Sequence, residues 1–92
     1  MKILEDALKR YGYKNQVMVA IEELSEMIKA LSKIERYGPS PERREHALDE
    51  LADVVITQLQ MMMILDITED DLAAQIEKKL KRLADRMESG ES

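Results

Sequence analysis

Apolar residues along this 92-residue chain recur at intervals of three and four, the spacing that lays one hydrophobic face along an α-helix. Ile3, Leu4, Ala7 and Leu8 predict a short helix over residues 2–10, broken by Gly12. Val17, Ile21, Leu24, Ile28 and Leu31 predict a second helix, from about Asn15 to Tyr37. At about 100° per residue these five positions fall in one narrow stripe. Glu22, Glu23 and Glu26 lie on the far side of it, together with Val19 and Ala30, so that side is not a purely solvated face. Gly38-Pro39-Ser40-Pro41 stops the helix. Ser40 is a good N-cap for the next one, with Pro41 at its first position and Glu42 in its first turn.

The third helix is predicted from about Pro41 to Leu65. Leu48, Leu51, Val55 and Met62 define the centre of its apolar sector, which Ala47, Val54, Leu59, Met61 and Met63 widen past half of the circumference. A helix so apolar must be packed on several sides, and in a chain this short one neighbour is expected to come from another subunit. Asp66-Ile67-Thr68 breaks the pattern. Thr68 is placed to cap a last helix, whose positive end suits Glu69, Asp70 and Asp71. Leu72, Ile76, Leu80, Leu83 and Met87 give that helix its stripe, up to about Glu88, and residues 89–92 read as a frayed tail. The methionines, Met61-Met62-Met63 among them, read as adaptable core filler. The pattern predicts a single all-α domain over residues 1–92, a bundle of three to four helices.

Composition narrows the function. No cysteine is present, which excludes disulfides, thiolate metal sites and a thiol nucleophile. A net charge of -5 makes a poor general nucleic-acid binder, because neutralising phosphates takes clustered Lys and Arg. The opening Met1-Lys2-Ile3-Leu4-Glu5-Asp6 meets acids before any apolar core forms and does not read as a signal peptide. No apolar run approaches the ~20 residues that span a bilayer. The expectation is a cytoplasmic protein with no nucleic-acid or membrane partner, and one whose size favours oligomerisation.

The chemistry lies in two acidic clusters, Glu22-Glu23-Leu24-Ser25-Glu26 and Glu50-Leu51-Ala52-Asp53. Either alone reads as an ordinary solvated helix face. Together they are less ordinary. Exposed helical acids are often supported by a cation four residues on, yet Glu22 is followed there by Glu26, Glu23 by Met27, Glu50 by Val54 and Asp53 by Thr57; only Glu26 has a nearby cation, Lys29. Glu50 abuts the apolar sector and Asp53 lies one step round from it. Carboxylates facing each other between helices repel unless a cation sits among them, and an all-oxygen set suits Mg2+ or Mn2+. A di-iron carboxylate site is the rival, but position 43 is arginine, so His46 completes no Glu-x-x-His motif. His46 does share a face with Glu50 and Asp53. It could be a ligand, a hydrogen-bond partner or a plain surface histidine.

Glu22-Glu23-x-x-Glu26 followed by Glu50-x-x-Asp53, with the flanking Ala20-Ile21, Lys29-Ala30-Leu31 and Val54, resembles the signature of the MazG-like all-α nucleoside triphosphate pyrophosphatases. The wider superfamily includes dimeric dUTPases and phosphoribosyl-ATP pyrophosphohydrolases. The resemblance is strongest over residues 16–57. It implies an oligomeric helical enzyme, a homodimer or homotetramer, that hydrolyses an NTP or dNTP between the α- and β-phosphates. It implies Glu23, Glu26, Glu50 and Asp53 as ligands of Mg2+ (or Mn2+). Glu22, the first acid of the signature, would touch a further ion or orient the attacking water. Gln16 resembles a glutamine found before the acids in such proteins and is a candidate contact to base or ribose, with Tyr11 and Tyr13 as candidate stacking partners. Lys79 and Arg86 flank the apolar stripe of the last helix on one side and are the candidates for holding phosphates. Two other readings stay open: phosphoribosyl-ATP as the substrate, and a non-catalytic helical assembly module whose acids only solubilise a bundle.

Overall fold

The computed structural model describes residues 1–90 as four α-helices: α1 (Lys2–Tyr11), α2 (Tyr13–Tyr37), α3 (Pro41–Leu65) and α4 (Glu69–Glu88). No strand occurs among the described residues. Glu91 and Ser92, the end of the expected tail, lie outside them.

Each boundary has a local cause. Gly12 (φ 82°) and Gly38 (φ 80°) take backbone conformations that side chains disfavour, and each ends a helix. Only Gly12 separates α1 from α2, so α2 begins at Tyr13, two residues before the predicted start at about Asn15. The Ser40 hydroxyl accepts from the Arg43 N–H at 3.2 Å and starts α3, with Pro41 in its first turn. Arg43 also ties the α2–α3 turn together. Its guanidinium donates to the Gly38 carbonyl at 3.0 Å and lies 5.1 Å from the centre of the Tyr37 ring. Asp66 ends α3 in the left-handed conformation, φ 55° and ψ 44°, one of the few non-glycine types that tolerate it. Thr68 and Asp71 then form a reciprocal capping box at the start of α4.

The short Gly38–Ser40 connection folds α3 back along α2, and this hairpin is the body of the molecule. α1 lies against both arms, tied to α3 by the Gln60 amide, which donates to the Leu4 carbonyl at 3.4 Å. α4 turns away from α3 by 115° and packs on none of the other three helices.

The apolar stripes do not meet inside the chain. The face that α2 turns to its neighbours carries Gln16, Ala20 and Ala30, and that of α3 carries Glu50, Thr57 and Gln60; with Leu4 these are the buried residues among those described. Ile21, Leu24, Ile28 and Leu31 are exposed, Ile28 by 64%, as are Leu48, Leu51 and Val55 of α3. On α4, Ile76, Leu80, Leu83 and Met87 are exposed too. Most of the stripes' central residues thus make no core within a single chain. In α3 the flanking Ala47, Val54, Leu59, Met61 and Met63 are half-buried within the chain, as is Met62 of the centre. The total exposed area is 7579 Å². A compact monomer of 10.6 kDa would expose about 5,500 Å². The radius of gyration, 16.4 Å, likewise exceeds the roughly 12 Å of a compact domain of this length. No single helix among the described residues is long and apolar enough to cross a membrane.

Candidate functional site

The hairpin brings the two acidic clusters together. Glu23 lies near mid-α2, Glu50 and Asp53 at similar distances from the turn along α3. Ligand oxygens of the three carboxylates all lie within 4.8 Å of one another. Glu50 and Asp53, three apart, present neighbouring positions on one helix face, and Glu23 meets them from across the seam.

Glu50 is the most constrained of the three. It is only 8% exposed. Its Oε1 lies 3.5 Å from His46 Nε2, one turn earlier on α3. Its Oε2 is buried with no hydrogen-bond partner. Orphaned polar atoms of this kind are rare in folded proteins and call for an explanation such as an ion. The electrostatics agree. Contact with Asp53 raises the carboxyl of Glu23 above the ordinary value of 4.5, helped by burial and by the charges of Asp53, Glu50 and Glu22. No lysine or arginine is ion-paired to Glu23, Glu50 or Asp53 among the described residues.

Glu26, the fourth expected ligand, stands outside this group and meets Lys29 at 3.3 Å instead. Both partners are largely in solvent, where such a pair is worth at most about 1 kcal/mol. The pair is weak enough to exchange for a stronger one. Glu22 points elsewhere. With Tyr11, Asn15, Gln16, Met18 and Val19 it lines a cleft of about 440 Å³ beside the start of α2. Gln16 is buried there, which joins the candidate base contact to the first acid of the signature. Tyr13 lines a separate cleft with Leu8, Met63 and Ile64. Lys79 and Arg86 are exposed on α4 and are not brought to the acids within one chain.

The buried Thr57 and Gln60 extend the site's polar seam beyond the residues singled out from the sequence, and the half-buried His46, weighed there as a ligand or hydrogen-bond partner, adjoins it. A signal existed. Glu50, Asp53, Thr57 and Gln60 repeat at three, four and three, a polar stripe as regular as the apolar one beside it.

Searches against protein-family models, curated proteins and solved structures find no match to this chain.

Proposed function

We propose that the protein is a divalent-cation-dependent nucleoside triphosphate pyrophosphohydrolase of the MazG-like all-α kind, converting NTP or dNTP to the monophosphate and pyrophosphate. The observation that carries the proposal is the buried, unpartnered Oε2 of Glu50 within a group of three facing carboxylates. Burying an ionised carboxylate without a partner is expensive, and three together compound the cost. A hard cation with oxygen ligands relieves it.

Glu23, Glu50 and Asp53 would hold Mg2+ or Mn2+, and Glu26 joins them when it leaves Lys29. Bound there, the ion offsets the charge of a triphosphate and makes bound water more acidic. The chain's own residues do the rest. From the adjoining cleft that it lines, Glu22 would turn to orient the attacking water and accept its proton as the new bond to the α-phosphorus forms and the α–β bridge breaks, pyrophosphate leaving. The cleft lined by Gln16 and Tyr11 takes the nucleoside, the Gln16 amide facing base or ribose. Lys79 and Arg86 hold the phosphate chain.

Those two cations need a second copy of the chain. One chain exposes roughly 2,000 Å² more than a compact monomer would, and stable interfaces bury about 1,600 Å² in total. The exposed stripes of α2, α3 and α4 supply the apolar surface for a homodimer or homotetramer. An α4 that packs along none of its own chain's helices is free to lie along another's hairpin.

The test is product identity. Folded protein is incubated with Mg2+ and a panel of ribo- and deoxynucleoside triphosphates, with phosphoribosyl-ATP included. Monophosphate and pyrophosphate in equal amounts are expected from one or more of the triphosphates. Diphosphate with orthophosphate, or no turnover, contradicts the proposal, and pyrophosphate from phosphoribosyl-ATP alone moves the substrate.

A further inference from the structure

His46 has no part in the family signature, yet it is the side chain that meets the most buried acid of the site. We infer that His46 is a positioning residue: it holds one oxygen of Glu50 so that the other is presented to a cation. The inference rests on the cation-site reading above and adds a residue to it.

The argument is geometric. Side chains on an α-helix lean toward its N-terminus, so the carboxylate of Glu50 tilts back over the turn that carries His46. His46 Nε2 lies 3.5 Å from Oε1, an ion-pair contact a little longer than a hydrogen bond, while Oε2 meets no donor at all. The two oxygens of one carboxylate are thus in unlike settings. One faces an N–H-bearing ring, and the other is buried among carboxylates. Rotating Glu50 to satisfy Oε2 would give up the contact at Oε1. A carboxylate held against the imidazole has its free oxygen already placed, and less side-chain entropy is lost when a ligand arrives.

The residue type matters. A lysine or arginine at position 46 would pair with Glu50 as a full charge and compete with the cation for it. A neutral imidazole with its proton on Nε2 donates to the carboxylate without bringing a full charge to it. His46 is itself 41% exposed at its side chain. Its removal therefore opens no large cavity and leaves the α2–α3 packing in place. Hydrogen-bond partners behind metal ligands orient them in this way, and losing one typically weakens metal affinity about 10- to 100-fold.

The experiment is a Mn2+ titration, followed by the ion's electron paramagnetic resonance signal, on the full chain and on His46→Ala and His46→Gln. The glutamine amide nitrogen can occupy nearly the position of the imidazole Nε2 and donate to the same oxygen. Expected are a Mn2+ affinity weakened about 10- to 100-fold in H46A, recovery to within a few-fold of wild type in H46Q, and metal-free melting temperatures alike in all three. Equal affinity in H46A and wild type overturns the inference and leaves the cation site standing. So does an H46Q that binds as poorly as H46A, or, where H46A fails to fold, an H46Q at least about 10-fold weaker than wild type. Absence of Mn2+ binding by the wild-type protein overturns the site and the inference together.

Discussion

The carboxylates of Glu23 on α2 and Asp53 on α3 face each other across the seam between the two helices, their ligand oxygens within 4.8 Å. Contact with Asp53 is the main reason that the Glu23 carboxyl is raised above 4.5, with burial and the neighbouring charges adding to it. A carboxyl raised in the folded state binds more protons folded than unfolded. The cation-free protein should therefore lose stability as pH rises from 4.5 through the raised value, and show no further change from this group above it. Glu23→Gln should flatten that slope and stabilise the cation-free protein at neutral pH, by a few tenths to about 1 kcal/mol as for other relieved like-charge contacts. Urea denaturation from pH 4 to 8 with chelator present checks both. A wild-type stability that rises with pH over the window, or a variant with the same slope, contradicts the account.

Cation binding to the native state should reverse the same strain. A ligand at 100 times its dissociation constant stabilises by about 2.7 kcal/mol, and each kcal/mol moves the melting temperature of a domain this size by roughly 4–8 °C. Mg2+ or Mn2+ at that excess should raise the melting temperature by roughly 10–20 °C. NaCl at matched ionic strength should give only generic screening, and Glu50→Gln should respond to neither beyond that. Differential scanning fluorimetry reads all three conditions. Equal shifts from NaCl and MgCl2 would mean that the carboxylates are merely solvated.

The exposed stripes predict an assembly. Ile28→Asp, at a position 64% exposed in one chain, would be nearly neutral in a monomer. In the proposed oligomer it buries an unpaired charge. Light scattering after size-exclusion chromatography should find wild type at two or four chains and I28D at one, with turnover lost. If Lys79 and Arg86 act on a second chain's acids, mixing inactive Glu23→Gln with inactive Arg86→Ala should restore part of the activity by forming mixed sites. A monomeric wild type, or mixtures that stay dead, would count against sharing of the site between chains.

Much of this fold was legible because its signals are local. Ser40 with Pro41, and Thr68 with Asp71, mark helix starts by hydrogen bonds that close within three residues, and Gly12 and Gly38 mark ends by backbone freedom alone. The meeting of Glu23 with Glu50 and Asp53 was legible for a related reason. A three-residue turn between two long helices forces them antiparallel, and positions at similar distances from the turn must then face each other. What could not be read was which face of α2 meets α3. Hydrophobic periodicity says that Ile21, Leu24, Ile28 and Leu31 want to be dry but not whose surface dries them. Inside the chain the contact face instead carries small and polar residues, Ala20, Ala30, Gln16 and Thr57. The direction of α4 was hidden as well, since it depends on the left-handed turn at Asp66 and on no contact of its own. Glu26 matches the ligand pattern, but its pair with Lys29, three residues on, was legible from the spacing and is what the side chains form.

The central claim is that these carboxylates form a cation site at which triphosphates are cleaved, and pyrophosphate release tests it most directly. It is measured from wild type and Glu50→Gln, over the same nucleotide panel, with Mg2+ and with chelator. The account predicts release from wild type with Mg2+, and none with chelator. It also predicts none from an E50Q variant whose circular dichroism matches wild type, since the buried oxygen that anchors the ion would be replaced by a neutral amide. Full turnover by E50Q, or release that persists in chelator, would contradict it.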